Sequence, residues 1–110
     1  MYYIHGILLN NCSYSNNAKK LLETYNIPNK LISITHEEKD KFKYDEINTF
    51  PQIYVKKENT KGSILIGGYD NLNELFTLFY KNYNKDNIEN IMNKYKLSRK
   101  LVLRIIEMFN

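Results

Sequence analysis

The sequence has little of what would build a cross-linked or metal-stabilised fold. Its 110 residues include one cysteine, Cys12, and two histidines, His5 and His36. A single cysteine excludes a disulfide within the chain and a site built from several cysteine ligands. Neither histidine has a partner at metal-ligand spacing, so we assign both to structure or surface. A chain of this length is expected to fold as one domain with a modest hydrophobic core.

Long apolar runs and a leader-like start are also missing. No stretch approaches the roughly 18 consecutive apolar residues of a membrane span. The start, MYYIHGILLNN, has no basic region and no small-residue cleavage site. We therefore expect no membrane partner and a reducing, cytoplasmic location. The abundance of Asn, Lys, Ile and Tyr is typical of an AT-rich genome. A large DNA virus or a protozoan would fit, and a viral protein would lie in the host cytoplasm or the virion.

The positive charge is concentrated in the C-terminal part of the chain. The net charge is +4, residues 1–80 are neutral, and the whole excess lies in residues 81–110. We interpret 81–110 as a basic extension of two amphipathic helices, packed on the domain or at a homodimer contact. The alternative is a basic docking surface for an acidic partner or nucleic acid. It is less favoured, because the extension lacks a nucleic-acid-binding motif.

Hydrophobic periodicity predicts the element order β-α-β-α-β-β-α before that extension. Residues 2–9 and the stretch NKLISIT predict two strands, parallel because a helix connects them. The stretch HEEKDKFKYDEI predicts a charged surface helix between the second and third strands. Residues 52–55 and the stretch ILIGG predict an antiparallel hairpin. The expected result is a small mixed sheet with helices on both faces.

Polar residues before the last three helices are candidate N-caps. Asp70 is expected to cap the helix whose apolar face begins at Leu72. Asp86 and Glu89 have the spacing of a capping box before the first tail helix. Ser98 is expected to cap the last helix.

Cys12 is the main candidate for chemistry. It lies between the first strand and the first helix, at the edge of the sheet where open α/β folds bind ligands. Unpaired N–H groups at a helix N-terminus stabilise a thiolate, the nucleophilic form of cysteine. The alternative is a small buried residue, as many free cysteines are. Position alone does not decide between the two.

Three short motifs bear on that choice. The stretches CSYS, TFPQIYV and IGGYDNL occur in the same order and at similar spacing as in glutaredoxins. Over about residues 2–80 the chain resembles a glutaredoxin of the thioredoxin-fold superfamily. The resemblance implies a thioredoxin-like α/β fold over 1–80, in which a four-stranded mixed sheet is flanked by helices. Residues 81–110 would then be a C-terminal helical extension.

The resemblance also implies a role for each matching residue. Cys12 is the nucleophile, Ser13 fills the variable second place of the active-site motif, and Ser15 stands where dithiol members keep a second cysteine. The implied glutathione-binding residues are Tyr14, Thr49, Phe50, Pro51, Gln52, Gly68, Tyr69 and Asp70.

Different parts of glutathione are assigned to different segments. The X-Pro bond of the TFP segment is cis in the family, and the backbone before it pairs with the cysteine end of glutathione. Gln52 stands at a position that often helps to hold the glycine carboxylate. The turn Gly68–Asp70 grips the γ-glutamyl end.

The implied activity is a monothiol one. With Ser15 in place of a second thiol, Cys12 would reduce protein–glutathione mixed disulfides, using glutathione as the reductant. One alternative is a dimer in which two Cys12 thiolates and two glutathiones ligate a 2Fe-2S cluster, which makes Cys12 a metal ligand. Another is a glutathione-binding module that has lost catalysis.

The chain departs from the family pattern at three positions, and the first of them, Leu9, supports that last alternative. Leu9 occupies the place of a common Lys or Arg that binds the glycine carboxylate, with Lys19 or Lys20 as candidate substitutes. Tyr69 replaces a small residue or cysteine and should narrow the groove. Asn71 replaces a frequent second Asp.

Overall fold

A four-stranded sheet organises the chain, and the computed structural model describes all residues from 1 to 110. The strands are β1 (Tyr2–Leu9), β2 (Asn29–Ile34), β3 (Gln52–Lys57) and β4 (Ser63–Gly67). Their spatial order is β2-β1-β3-β4, with β1 and β2 parallel and the other two pairs antiparallel. This mixed sheet confirms the predicted thioredoxin-like fold class.

Four α-helices accompany the sheet. They are α1 (Ser13–Thr24), α2 (Tyr69–Phe79), α3 (Lys85–Tyr95) and α4 (Arg99–Phe109). Asn26 follows α1 in a left-handed conformation, which asparagine tolerates better than most residues. Pro28 then prevents the helix from continuing. None of the helices combines the length and apolar character needed to cross a membrane.

The prediction of a helix over HEEKDKFKYDEI is wrong. The segment contains only a 3₁₀ turn over Lys39–Phe42. The carboxylate of Glu38 accepts hydrogen bonds from both the N–H and the hydroxyl of Thr35, each at 3.0 Å, which favours a tight turn. Most of the segment is exposed, so no apolar stripe is buried to stabilise a longer helix.

Two of the three predicted helix caps are also wrong. Gly68, not Asp70, is the N-cap of α2, because the helix begins directly after the end of β4. Asn84, not Asp86, caps α3, and its side chain accepts the N–H of Asn87 at 2.9 Å. Ser98 caps α4 as predicted, accepting the N–H of Leu101 at 3.2 Å.

One hydrophobic core joins the sheet to the helices. Ile4 of β1 and its neighbour Val55 of β3 point to the same side of the sheet, where Leu22 of α1 and Leu75 of α2 meet them. The apolar residues of the C-terminal helices belong to the same cluster: Ile88, Ile91, Leu101, Val102, Ile105, Ile106 and Phe109. The extension therefore buries its apolar faces within its own chain.

Strand register brings the chemically interesting segments to one edge of the sheet. Leu9 pairs with Ile34, so the carboxyl ends of β1 and β2 lie side by side. The first residue of β3, Gln52, pairs with Ile7, and the last residue of β4, Gly67, pairs with Ile53. Helices α1 and α2 both begin at this edge, within four residues of a strand end.

Candidate active site

Cys12 occupies the N-cap of α1. Its backbone is extended, with φ −107° and ψ 122°, and its side chain is partly exposed. The first hydrogen bond of the helix runs from the N–H of Asn16 to the Cys12 carbonyl at 2.9 Å. The amides of Ser13 and Tyr14 stand ahead of that bond, at the positive end of the helix dipole. The sulfur is therefore not sealed in the core, and it lies where backbone dipoles favour negative charge.

The TFP segment lies against this sulfur. The Sγ of Cys12 is 4.0 Å from the carbonyl oxygen of Phe50, although 38 residues separate the two in sequence. The peptide bond between Phe50 and Pro51 is cis, as the resemblance implied. Pro51 is buried, Phe50 is half-buried and Thr49 is exposed. The Phe50 backbone therefore forms one wall of the space beside the thiol.

The Gly68 turn lies next to the TFP segment. A Cβ atom placed on Gly68 would be 3.7 Å from the carbonyl oxygen of Pro51, so the turn packs directly on the TFP segment. The first hydrogen bond of α2 runs from the N–H of Leu72 to the carbonyl of Gly68 at 3.1 Å. The amides of Tyr69 and Asp70 precede it and offer donors to an anion. Tyr69 is half-buried against the core and Asp70 is exposed.

The three serine and tyrosine neighbours of Cys12 have different environments. Ser13 is exposed, and Tyr14 is 57% exposed, so the tyrosine ring is not a core residue. Ser15 is 1% exposed, and its hydroxyl accepts the N–H of Leu9 at 3.0 Å. Ser15 therefore ties the first turn of α1 to the end of β1.

Gln52 does not have the environment expected of a glycine-carboxylate ligand. Its side chain is 0% exposed. Its amide nitrogen donates to the carbonyl of Phe42 at 2.5 Å, and its amide oxygen accepts the hydroxyl of Tyr54 at 3.2 Å. A fully buried and doubly hydrogen-bonded amide cannot reach a ligand in this conformation. We therefore do not include Gln52 among the residues that bind glutathione.

Lys19 and Lys20, the two candidate substitutes for the cation missing at position 9, differ in where they lie. Lys19 lines a surface hollow of about 380 Å³ together with Leu9, Asn11 and Asn16. Its amine is 4.0 Å from the carboxylate of Glu23. Lys20 is exposed and does not line the hollow. Lys19 is therefore the one that faces the loop carrying Cys12.

Sequence reasoning missed the position of His36 at this edge. Its Nε2 lies 3.2 Å from the carbonyl oxygen of Asn10, two residues before Cys12. The parallel pairing of β1 and β2 explains this contact, since the residues after both strands emerge together. The predicted βαβ unit already implied that the residues after β1 and β2 lie close together. The charged residues around His36 nevertheless favoured its assignment to a surface loop.

A hydrogen-bonded chain behind the Gly68 turn was missed as well. The side-chain oxygen of Asn71 accepts the N–H of Gly68 at 3.0 Å, and its side-chain nitrogen donates to the hydroxyl of Tyr95 at 3.1 Å. Tyr95 donates to the Glu74 carboxylate at 2.6 Å, which Lys94 also contacts at 2.7 Å. No local pattern signals a contact between residues 24 positions apart.

Within this hydrogen-bonded network, the contacts and burial shift the pKa values of Glu74 and Tyr95. Hydrogen bonds from Lys94, and then from Tyr95, lower the pKa of Glu74. Burial, followed by the hydrogen bond to Glu74, raises the pKa of Tyr95 to about 12. At neutral pH Glu74 is therefore ionised and Tyr95 keeps its proton.

The donor set of one chain does not fit an iron–sulfur cluster. No group of three or more histidine, cysteine or acidic side chains lies together. Cys12 supplies one thiolate, whereas a 2Fe-2S cluster of this type requires four ligands. A cluster would need a second chain and further thiols from glutathione.

Comparison with known proteins gives the family. A family model described as Glutaredoxin matches residues 1–59, more than half of the chain. No significant match was found among curated proteins. The matched segment contains both Cys12 and the cis Phe50–Pro51 bond, and it ends before the Gly68 turn and the C-terminal helices. Glutaredoxins are in general oxidoreductases of thiols and disulfides that use glutathione. This chain belongs to the glutaredoxin family.

Proposed function

We propose that the protein reduces protein–glutathione mixed disulfides by a monothiol route through Cys12. The observation that carries this proposal is the placement of the Cys12 sulfur at the N-terminus of α1, 4.0 Å from the Phe50 carbonyl. A thiol in this position is partly exposed, close to unpaired backbone donors, and beside a backbone segment that an extended peptide can join.

The backbone segments described above suit different parts of glutathione. The backbone of Phe50 can pair with the cysteine residue of the tripeptide, as in a short added strand. The free amides of Tyr69 and Asp70 suit the carboxylate of the γ-glutamyl end. The Asp70 carboxylate is exposed and suits its ammonium group. Tyr14, at the rim, is available to flank the bound ligand.

The first chemical step transfers glutathione to the enzyme. The Cys12 thiolate attacks the glutathione sulfur of the mixed disulfide. A new disulfide forms between Cys12 and glutathione, the old disulfide breaks, and the substrate protein leaves as a thiolate that takes a proton from water. Backbone contacts to the glutathione moiety orient the disulfide so that its glutathione sulfur meets Cys12.

The second step regenerates the enzyme. A second glutathione, as thiolate, attacks the glutathione sulfur attached to Cys12. Oxidised glutathione leaves, and Cys12 returns to its thiolate form. The net reaction therefore consumes one free glutathione for each mixed disulfide: its sulfur is oxidised while the sulfur of the substrate protein is reduced, and the glutathione carried in by the substrate leaves as the other half of oxidised glutathione.

Ser15 supports the monothiol form of this route. A second thiol at this position could attack the disulfide formed on Cys12, but a hydroxyl cannot. The Ser15 hydroxyl is also buried and already bonded to Leu9. A cytoplasmic location is part of the proposal, because the route consumes reduced glutathione and needs a reducing compartment.

The test is turnover of a glutathionylated peptide in the presence of glutathione and a glutathione-recycling system. We expect activity from wild type and only the uncatalysed rate from Cys12→Ser. Intact-mass analysis of wild type after one equivalent of substrate should show one glutathione per chain. Activity that survives in Cys12→Ser would reject the assignment, provided circular dichroism shows that both proteins are folded.

A further inference from the structure

A chain of hydrogen bonds links the C-terminal extension to the Gly68 turn. It begins at the N–H of Gly68, which donates to the side-chain oxygen of Asn71 at 3.0 Å. The side-chain nitrogen of Asn71 donates to the hydroxyl of Tyr95 at 3.1 Å. The hydroxyl of Tyr95 donates to the carboxylate of Glu74 at 2.6 Å. Lys94 contacts both oxygens of that carboxylate, at 2.8 and 2.7 Å.

The donor and the acceptor of every hydrogen bond in this chain follow from the ionised carboxylate of Glu74 at its far end. An ionised carboxylate only accepts hydrogen bonds, so the Tyr95 proton must point towards Glu74. The Tyr95 oxygen is then an acceptor towards Asn71, which must present its NH₂ group there. The carbonyl oxygen of the Asn71 amide is thereby turned towards Gly68, where it meets a donor. Reversing the amide would break both of its hydrogen bonds.

The hydrogen bond between Gly68 and Asn71 lies at the Gly68 turn itself, where it bears on the backbone conformation. Gly67 has φ +133°, and a Cβ atom at this position would collide with the Asn71 amide. The amide thus lies directly under the Gly67–Gly68 backbone. Tyr69 and Asp70, which carry the free amides at the start of α2, follow immediately.

We propose that Tyr95 is a positioning residue for glutathione binding, acting through Asn71 on the Gly68 turn. The inference rests on the proposed function, because it takes this turn as the site of the γ-glutamyl end. It assigns the C-terminal extension a part in ligand binding, since Tyr95 is the last residue of α3. Residues beyond the matched family segment then help to complete the groove.

A structural role alone would have a different signature. If the hydrogen bonds only held α3 against α2, loss of the Tyr95 hydroxyl would lower the free energy of unfolding and leave the Michaelis constant unchanged. If Tyr95 acts on the turn, its effect on ligand binding must pass through Asn71. The two residues would then be coupled in a double-mutant cycle measured on KM.

The experiment compares Tyr95→Phe, Asn71→Ala and the double variant with wild type. Tyr83→Phe is the matched control, because Tyr83 is 53% exposed and makes no side-chain hydrogen bond. For Tyr95→Phe we expect KM for a glutathionylated peptide to rise about fivefold, the effect of one lost hydrogen bond. We expect kcat to stay within about twofold. The double variant should have the KM of Asn71→Ala alone, and Tyr83→Phe should match wild type.

A second measurement tests the positioning without turnover. In ¹⁵N-labelled protein, Tyr95→Phe should shift the Gly68 amide resonance and speed its hydrogen exchange, whereas Tyr83→Phe should not. An unchanged Gly68 amide would overturn the inference. It would also be overturned by a perturbed amide with unchanged KM, or by additive effects on KM.

The failure of the proposed function has a separate signature. If wild type shows no turnover, the proposed function fails, and the dissociation constant of glutathione, titrated by NMR into Cys12→Ser, takes the place of KM. That constant should rise in Tyr95→Phe by the same factor and show the same coupling to Asn71. Equal glutathione affinity in the presence and absence of the Tyr95 hydroxyl, or no binding at all, would refute the inference.

Discussion

Replacing Ser15 by alanine should destabilise the fold although the change removes a single oxygen atom. The Ser15 side chain is 1% exposed, and its hydroxyl is the hydrogen-bond partner of the Leu9 N–H, at 3.0 Å. Alanine leaves that amide without a partner in a site that water does not readily reach. An unsatisfied buried donor costs about 1–3 kcal/mol. For a chain of this size each kcal/mol corresponds to about 4 °C in the melting temperature.

Ser13→Ala provides the matched control. Ser13 belongs to the same motif but is exposed and makes no side-chain hydrogen bond. Its substitution should change the free energy of unfolding by less than about 0.5 kcal/mol. Urea unfolding followed by circular dichroism, with the slope compared between variants, measures both differences.

The outcome for Ser15→Ala is a direct test of how the active-site loop is held. A loss of about 1–3 kcal/mol with an unchanged slope supports the Ser15–Leu9 bond as a structural link between α1 and β1. Equal stabilities of Ser15→Ala and Ser13→Ala would refute it. The monothiol route itself does not use the Ser15 hydroxyl, so turnover of Ser15→Ala at a temperature where it is folded should stay within about threefold of wild type.

Three further predictions concern charge, backbone and pH. Lys19→Gln should raise KM for a glutathionylated peptide by about two- to threefold, while Lys20→Gln should not, because only Lys19 lines the hollow beside the Cys12 loop; equal effects of the two changes in the turnover assay would contradict this. Gly67→Ala should lower the free energy of unfolding by at least about 1–3 kcal/mol, because φ is +133° there and the new Cβ would also collide with the Asn71 amide. Gly62→Ala has open space around the new Cβ and should be close to neutral in the same urea titration, and similar losses in both variants would count against this explanation. Burial, and secondarily the nearby Lys56, lowers the pKa of His5 below its ordinary value of 6.5, so the unfolded chain binds the proton more tightly than the folded chain does. Stability should therefore fall as the pH is lowered from about 7.5 through 6.5 towards the folded-state pKa, and His5→Gln should weaken that part of the pH dependence; an identical pH profile for the variant would show that His5 is not its source.

Local pattern was sufficient for most of the framework. The alternation and length of apolar runs predicted all four strands, and the helical spacing of Leu101, Val102, Ile105, Ile106 and Phe109 predicted a buried face of α4. These features depend on neighbours within a few residues, which the sequence displays directly. Reliance on local pattern also explains the wrong prediction of a helix between β2 and β3. The charged residues of that segment are compatible with a helix but leave it no apolar face to bury.

The contacts that make a site were decided by tertiary structure. From the residues alone, Cys12 could be a core residue or a nucleophile, and only the folded sheet edge shows its sulfur partly exposed beside Phe50. Gln52 matched a ligand-binding position, yet the fold directs its amide to Phe42 and Tyr54 instead.

The sequence by itself determined the four strands and the four α-helices, that a lone thiol stands at a strand-to-helix junction, and that a second thiol is missing at position 15. The tertiary structure decided which distant groups meet that thiol and its neighbours, including the Asn71–Tyr95 bond that joins the C-terminal extension to the Gly68 turn. The physical reason is the range of the interactions. Helix and strand preferences act over a few residues, whereas hydrogen bonds across the fold depend on where strand pairing and core packing place each backbone.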